Sequence, residues 1–126
     1  MKNITVAVPS TNPGGLDSLV GAHFGHCDLY TLVEVIDGQV QNVRTLPNMA
    51  HQQGGCMAPV NHLAQNGVQV LIAGGMGMRP LLGFNQVGIN VLYGAGVQKV
   101  GDAIDAFLKG TLQQFTSDFT CGGGGA

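Results

Sequence analysis

Imidazole and thiol groups are concentrated in two short segments of this chain. His23, His26 and Cys27 fall within five consecutive residues, and His51 and Cys56 occupy a second segment. Neutral imidazole and thiolate are ligands that soft or borderline metals prefer. The two segments therefore predict a site for a metal or a metal cluster. For the first segment, a capping histidine, a solvated histidine and a buried thiol form the structural alternative.

The other two cysteines differ in their surroundings. Cys56 lies where a glycine-containing loop is predicted to run into a helix, and Cys121 lies in a glycine-rich terminal stretch. A helix N-terminus favours the thiolate, which suits both metal ligation and nucleophilic attack. An ordinary loop thiol is the alternative for Cys56. Cys121 either closes over a bound cluster or lies in a disordered tail, and we expect His62 to be a solvated surface residue.

A glycine-rich strand-to-helix turn, GGMGMR, provides a different kind of candidate site. Its backbone N–H groups can hold an anion at the start of the helix, whereas the sequence lacks the Walker and dinucleotide patterns. The candidate contacts are Gly74, Gly75, Met76, Gly77, Met78 and Arg79. Arg79 and Lys99 fall at predicted helix starts, where the dipole disfavours a cation. An anionic ligand between them explains both placements; helix-on-strand packing with a chance distribution of cations is the alternative.

Composition excludes several classes of protein. Charged residues make up 10% of the 126 residues, against about 25% in typical domains, and the net charge is −2 without any Lys/Arg cluster. We therefore expect no nucleic-acid binding and, since the longest apolar run is Val70–Ala73, no membrane span. Three cysteines and no basic segment followed by an apolar stretch favour a reducing, cytoplasmic setting without a signal peptide.

Strand and helix patterns alternate along the chain, and Asp37-Gly38 predicts a hairpin. The pattern predicts one α/β domain over residues 1–110 and a flexible glycine-rich tail over residues 111–126. Right-handed crossovers favour a five-stranded mixed sheet of order 3-2-1-4-5, with strand 2 antiparallel and helices on both faces, a ribonuclease-H-like three-layer architecture. The predicted strands are 4–8, 29–36, 40–46, 68–73 and 89–93, and the predicted helices begin near Pro59, Pro80 and Val97.

This topology predicts that the chemically interesting loops meet. The loops after strands 1, 3, 4 and 5 all open at one edge of the sheet, and the Asp37-Gly38 turn opens at the other. Ligands of open α/β sheets bind at the carboxyl ends of the strands, near the switch in strand order. We therefore expect the histidines, cysteines and glycine loop to converge on one edge.

Catalytic patterns are missing from the chain. Glu34 is the only glutamate, and the sequence contains no Gly-x-Ser-x-Gly, HExxH or CxxC motif. A nuclease of this architecture would need carboxylates on the sheet to hold divalent metals. We therefore expect no enzyme activity. A thiol enzyme using Cys56 remains an alternative, for which no oriented base is evident.

Several segments together resemble the dinitrogenase iron–molybdenum cofactor biosynthesis family. They are ITVAVPS, HFGHC, VQVLIAGGMGMRPL, INVLYGAG and the closing CGG. This family includes the NifX and orange-protein types and the carboxyl-terminal domain of NifB. The resemblance implies a ribonuclease-H-like fold and the binding, storage or transfer of an iron–sulfur or molybdenum-containing cluster, including the molybdenum–copper type. It also implies no catalysis by this domain.

The resemblance extends to single residues. His23, Phe24 and Gly25 match the family's HFG motif, Cys27 matches a following cysteine, and the glycines of GGMG match its glycine loop. Asp28 stands where many relatives have proline, and the chain lacks the histidine-rich tail of some relatives. The orange-protein type is thought to hold its anionic cluster by noncovalent contacts. Direct ligation and noncovalent binding therefore both stay open.

The sequence favours a cluster carrier that exchanges its cargo with protein donors or acceptors. The histidines and cysteines would be ligands or near contacts, Arg79 and the loop amides would neutralise charge, and Met76 and Met78 would form an apolar wall. A non-catalytic adaptor of the same fold, which recognises a protein and holds no cluster, is the alternative. No feature of the sequence indicates an oligomeric state.

Overall fold

The computed structural model describes residues 3–21, 28–47, 57–94 and 97–116, without the side chains of residues 57–59. These residues form a mixed sheet with helices on both faces. The strands are β1 (Asn3–Ser10), β2 (Leu29–Ile36), β3 (Gln39–Pro47), β4 (Val70–Ala73), β5 (Asn90–Tyr93) and β6 (Gln113–Gln114). The helices are α1 (Met57–Gln65), α2 (Met78–Val87) and α3 (Val100–Lys109).

The strand order is β3-β2-β1-β4-β5-β6, so the predicted order of the first five strands is confirmed. β2 is antiparallel to both β1 and β3, while β1, β4 and β5 are parallel, as predicted. Strands β1 and β4 consist mainly of buried β-branched and aliphatic residues, because helices cover the sheet on both sides. The right-handed crossover rule therefore selected the correct arrangement.

Two apolar clusters hold the layers together. On one face, α1 and α2 contribute Val60, Leu63, Leu81 and Phe84 to a cluster that includes Tyr30 of β2. On the other face, α3 contributes Val100, Ala103 and Ile104 against valines of β1 and β2. Each helix thus buries one stripe and leaves its polar stripe in water.

Glycines mark the ends of several elements. Gly38 (φ 81°) follows Asp37 (φ 53°) in the β2–β3 turn, which confirms the predicted hairpin. Gly88 ends α2 and Gly110 ends α3, both in the left-handed conformation.

A sixth strand corrects the predicted count of five. β6 lies within the stretch assigned to the tail, and it pairs antiparallel with β5. The N–H of Phe115 donates to the carbonyl of Val91 at 2.9 Å. The ring of Phe115 is 5% exposed and packs edge-on against Tyr93, with centroids 5.6 Å apart. The buried ring of Phe115 holds β6 against the sheet, and Leu112, just before β6, packs against the α3 cluster. Residues 117–126 lie outside the described residues.

A buried hydroxyl pair anchors the loop that follows β1. Ser10 Oγ donates to the carbonyl of Val8 at 2.7 Å and lies 2.9 Å from Thr31 Oγ1. Because the single hydroxyl hydrogen of Ser10 is used, Thr31 must donate to Ser10, and Thr31 Oγ1 accepts from the Gly15 N–H at 3.1 Å. All three groups are therefore satisfied, and the loop is fixed against β2.

Candidate functional site

The carboxyl ends of four strands lie along one edge of the sheet, which we call the upper edge. Ser10 ends β1 opposite Leu29, and Leu29 in turn pairs with Pro47, the last residue of β3. Ala73 and Tyr93, the last residues of β4 and β5, also pair. The turn between β2 and β3 lies at the opposite edge, as the sequence pattern predicts.

The loops diverge to opposite faces at this edge. Leu16 and Val20, in the loop after β1, pack with the α3 cluster, whereas Met76, in the loop after β4, packs with the α1–α2 cluster. β1 and β4 are neighbouring strands. Chain segments that leave adjacent strands toward opposite faces open a crevice between them, which is the usual ligand position in α/β sheets.

The six residues predicted as metal ligands all lie outside the described residues. They are His23, His26, Cys27, His51, Cys56 and Cys121. The residues that bound the first of these segments lie at the upper edge: the Gly21 N–H donates to the carbonyl of Pro9 at 2.7 Å, and Asp28 accepts from the Asn12 N–H at 3.2 Å. Convergence of the ligand side chains stays a prediction.

Among the described residues, no group of three or more His, Cys, Asp or Glu side chains is arranged to hold a metal ion. Pro47, the last described residue before the second predicted segment, lies at the upper edge. Thr116, the last described residue, comes after β6, which runs antiparallel to β5 and therefore away from the upper edge. The membership of Cys121 in the site stays a prediction.

The glycine loop is described, and it leads into the start of α2. Gly77 is the N-cap residue (φ −80°, ψ 174°), and no side chain caps this helix end. Within the described ranges, no oxygen accepts a hydrogen bond from the N–H groups of Gly75, Met76 or Gly77. The first turn of α2 contains no acidic residue either. Loop N–H groups without an acceptor and the positive end of a helix dipole each favour an anion.

The methionines of this loop have different environments. Met76 is 1% exposed and is part of the core, so it anchors the loop. Met78 is 42% exposed, and Arg79 beside it is also exposed. Met78 is thus available as an apolar contact and Arg79 as a cation. Met76 is buried, so its part is to hold the loop against the core.

The absence of a side chain at Gly77 is not required by packing. A Cβ built at this position would meet nothing closer than Pro80 Cδ at 3.8 Å, and its φ is one that any residue adopts. At Gly94, by contrast, an added Cβ would lie 2.7 Å from Ile72 Cγ2. Gly94 is therefore explained by the fold, while Gly77 leaves the helix start open.

The second helix start is already capped. The Val100 N–H donates to the carbonyl of Ser18 at 2.9 Å, and the Gly101 N–H donates to the carbonyl of Leu16 at 2.8 Å. Asp102 in the first turn also complements the dipole. Of the two helix starts at which the sequence placed a cation, only that of α2 lacks a capping group among the described residues, and the anion site itself stays a prediction.

A shallow, open depression with three aliphatic side chains and one amide lies at the upper edge on the α3 side, where no sequence pattern indicated a site. It has a volume of about 570 Å³ and is lined by Leu19, Val20, Val97 and Gln98. Leu19 is 53% exposed. The available signal was that Leu19 and Val20 lie only a few residues before the HFGHC segment.

His62 is not the solvated surface residue that the sequence predicted. Its Nε2 lies 3.1 Å from the carbonyl oxygen of Pro47, and the residue is half-buried. The helical pattern of α1 placed His62 away from the core but gave no sign that β3 ends beside it. This contact ties α1 to the last residue before the segment that contains His51 and Cys56.

Comparisons with known proteins found relatives similar in sequence and in fold. The family model described as "Dinitrogenase iron-molybdenum cofactor" matches residues 2–110. An uncharacterized protein of Methanocaldococcus jannaschii is 28% identical over 117 residues, which cover 91% of this chain and 94% of that protein.

Two solved structures have similar folds. The apo form of the orange protein from Desulfovibrio gigas is 25% identical, with a TM-score of 0.78 and coverage of 89% of this chain and 92% of that one. A Thermotoga protein assigned to the NifB type is 29% identical, with a TM-score of 0.73 and coverage of 90% and 97%. Among the described residues, no helix is long and apolar enough to span a membrane.

Proposed function

The chain belongs to the dinitrogenase iron–molybdenum cofactor family, and from this premise we propose that it binds and carries an anionic metal–sulfide cluster at the upper edge. The observation that carries the proposal is the uncapped start of α2, with the open Gly77 position and the exposed Arg79 beside it. The cluster is cargo that the protein receives and passes on.

The α2 start would supply the electrostatic part of the site. Three loop N–H groups and the helix dipole favour negative charge, and a guanidinium can donate several hydrogen bonds to sulfide. These contacts need no covalent bond to the metal. Noncovalent contact of this kind suits a carrier, because the cargo can leave without breaking a metal–ligand bond.

Apolar residues would exclude water around the cargo. Met78 lies on the α2 side of the crevice, and the depression lined by Leu19 and Val97 lies on the α3 side. Low-dielectric walls strengthen the attraction between an anion and the loop N–H groups. They also limit hydrolysis of bridging sulfide.

The histidines and cysteines would add direct or near contacts. His23, His26, Cys27, His51 and Cys56 have the ligand chemistry that iron, copper and molybdenum–sulfide clusters accept, and Cys121 is a further candidate. We propose a cytoplasmic, non-catalytic domain of ribonuclease-H-like type that exchanges the cluster with protein donors and acceptors. An iron–sulfur, molybdenum or molybdenum–copper cluster fits this chemistry.

Anaerobic isolation tests the proposal. The protein should carry visible absorbance, with iron, molybdenum or copper and sulfide detected by elemental analysis, or should acquire them on incubation with ferrous iron and sulfide or with tetrathiomolybdate. A colourless protein that takes up neither and instead captures a protein partner would support the adaptor function.

A further inference from the structure

In the part of the chain that the structure describes, the two outer strands of the sheet, β3 and β6, differ in how well they are protected. β6 is two residues long, whereas β3 is nine residues long. Seven of the nine residues of β3 are exposed, and Val43 and Leu46 are half-buried. A long edge strand presents a row of N–H and C=O groups that can pair with another strand.

Two of the usual protective devices of an edge strand, a bulge and a proline, lie at the ends of β3. Gln41 is an extra residue opposite the Glu34–Val35 step of β2, which makes a bulge near the hairpin. Pro47 stands at the other end and lacks an N–H donor. Between them, Arg44 is the only charged residue, and its Nη2 donates to the carbonyl of Asn66 at 3.3 Å. The middle of the strand is therefore left available for pairing.

We propose that β3 pairs antiparallel with β3 of a second copy of this chain, about a two-fold axis at Val43. In this register Val43 faces Val43 of the partner subunit, and Asn42 faces Arg44 of the partner subunit. A closed two-fold arrangement uses the same patch on both copies. The result is a continuous sheet across both molecules.

This register is the one that the sequence of β3 favours. An axis at Arg44 would set two guanidinium groups directly opposite each other, which is destabilising. An axis at Asn42 would set the bulge residue Gln41 directly beside the axis, opposite Val43 of the second copy, whereas an axis at Val43 keeps the central segment 42–44 free of the bulge. An axis at Val43 instead pairs an apolar residue with itself and an amide with a guanidinium.

The proposed dimer leaves the cargo site open. β3 forms one side of the sheet, and α2 follows β4 on the other side of β1. Antiparallel pairing places the two upper edges at opposite ends of the shared sheet. The inference therefore does not rest on the proposed function, and each copy could be loaded separately.

Substitution of Asn42 tests the pairing, because Asn42 is exposed and its change leaves the core intact. Sedimentation velocity across a concentration series should detect a species of twice the 13.0 kDa chain mass. Asn42→Arg places like charges opposite Arg44 at two positions per dimer and should abolish that species. Asn42→Asp places opposite charges there and should tighten the dimer by roughly two- to thirty-fold.

Gln39→Arg is the matched control, since it adds the same charge to the same strand beyond the bulge. It should leave the dimer largely intact. Circular dichroism and thermal unfolding confirm that each variant is folded. A monomer at every concentration for both the unmodified chain and Asn42→Asp overturns the proposal, and so does a dimer that Asn42→Arg does not weaken.

Discussion

Gly77 and Pro80 lie at the start of α2 so that a Cβ on Gly77 would come no closer than 3.8 Å to Pro80 Cδ. The backbone at Gly77 is extended, which is the conformation of an N-cap residue. This position therefore accepts a side chain without strain. A substitution at Gly77 can therefore test the proposed anion site without disturbing the packing of the helix start.

Gly77→Asp should stabilise the protein and weaken cluster binding. The carboxylate would accept a hydrogen bond from the Arg79 N–H, since Pro80 at the next position has none, and would complement the dipole, which raises the free energy of unfolding by about 0.3–1 kcal/mol. Its negative charge beside the glycine loop would repel an anionic cargo. Urea unfolding and a tetrathiomolybdate titration measure the two effects.

Gly77→Asn is the control for charge at this position. An amide also caps the helix start but carries no charge. It should stabilise the helix by a similar amount and weaken cluster binding less than aspartate does. Unchanged cluster affinity in Gly77→Asp would show that the α2 start is not part of the site.

Arg79→Gln should weaken cluster binding by roughly threefold to tenfold and leave the free energy of unfolding within about 0.5 kcal/mol, because Arg79 is exposed. The cluster affinity of the unmodified protein should also fall more steeply with ionic strength than the affinity of the Arg79→Gln variant. Lys109→Gln removes the same charge at the far end of α3, where Lys109 pairs with Asp105 at 3.2 Å. An equal loss of affinity in both variants would contradict a local role for Arg79.

Thr31→Val should lower the free energy of unfolding by about 1–3 kcal/mol. It removes the donor to Ser10 and the acceptor for the Gly15 N–H, and Ser10 and Thr31 are fully buried. Thr45→Val, at an exposed threonine that pairs with Thr31, is the control. Equal stabilities of the two variants would contradict the hydroxyl network.

Phe115→Ala should lower the free energy of unfolding by about 2–4 kcal/mol, because the ring is buried against Tyr93. Thr116→Ala, at the exposed neighbouring residue, should have little effect. Chemical denaturation of both variants is the measurement. If Phe115→Ala lowers the free energy of unfolding by less than about 0.5 kcal/mol, the segment behaves as an unpacked tail and the prediction is contradicted.

The order of the first five strands could be predicted because it depends on local signals. Buried β-branched runs, the Asp37-Gly38 turn and the handedness of crossovers leave few topologies. β6 could not be predicted in the same way. It has two polar residues, Gln113 and Gln114, and its place is set by the long-range contact of Phe115 with β5.

The candidate site was predictable only in part. The glycine loop was found from its residue types, and the structure distinguishes its two methionines, since Met76 is buried and Met78 is exposed. The capping of α3 by carbonyls of Leu16 and Ser18 depends on a loop distant in sequence. The contact of His62 with Pro47 likewise joins elements whose proximity no local pattern reports.

The most direct test of cluster carriage is elemental analysis of the protein isolated and reconstituted without oxygen, beside the double variant His23→Ala/Cys27→Ala. Circular dichroism controls for folding of both proteins. We predict metal and sulfide bound in fixed proportion to the unmodified chain, and their loss or marked reduction in the variant. A folded, unmodified protein that binds neither metal nor sulfide under any of these conditions would contradict the account.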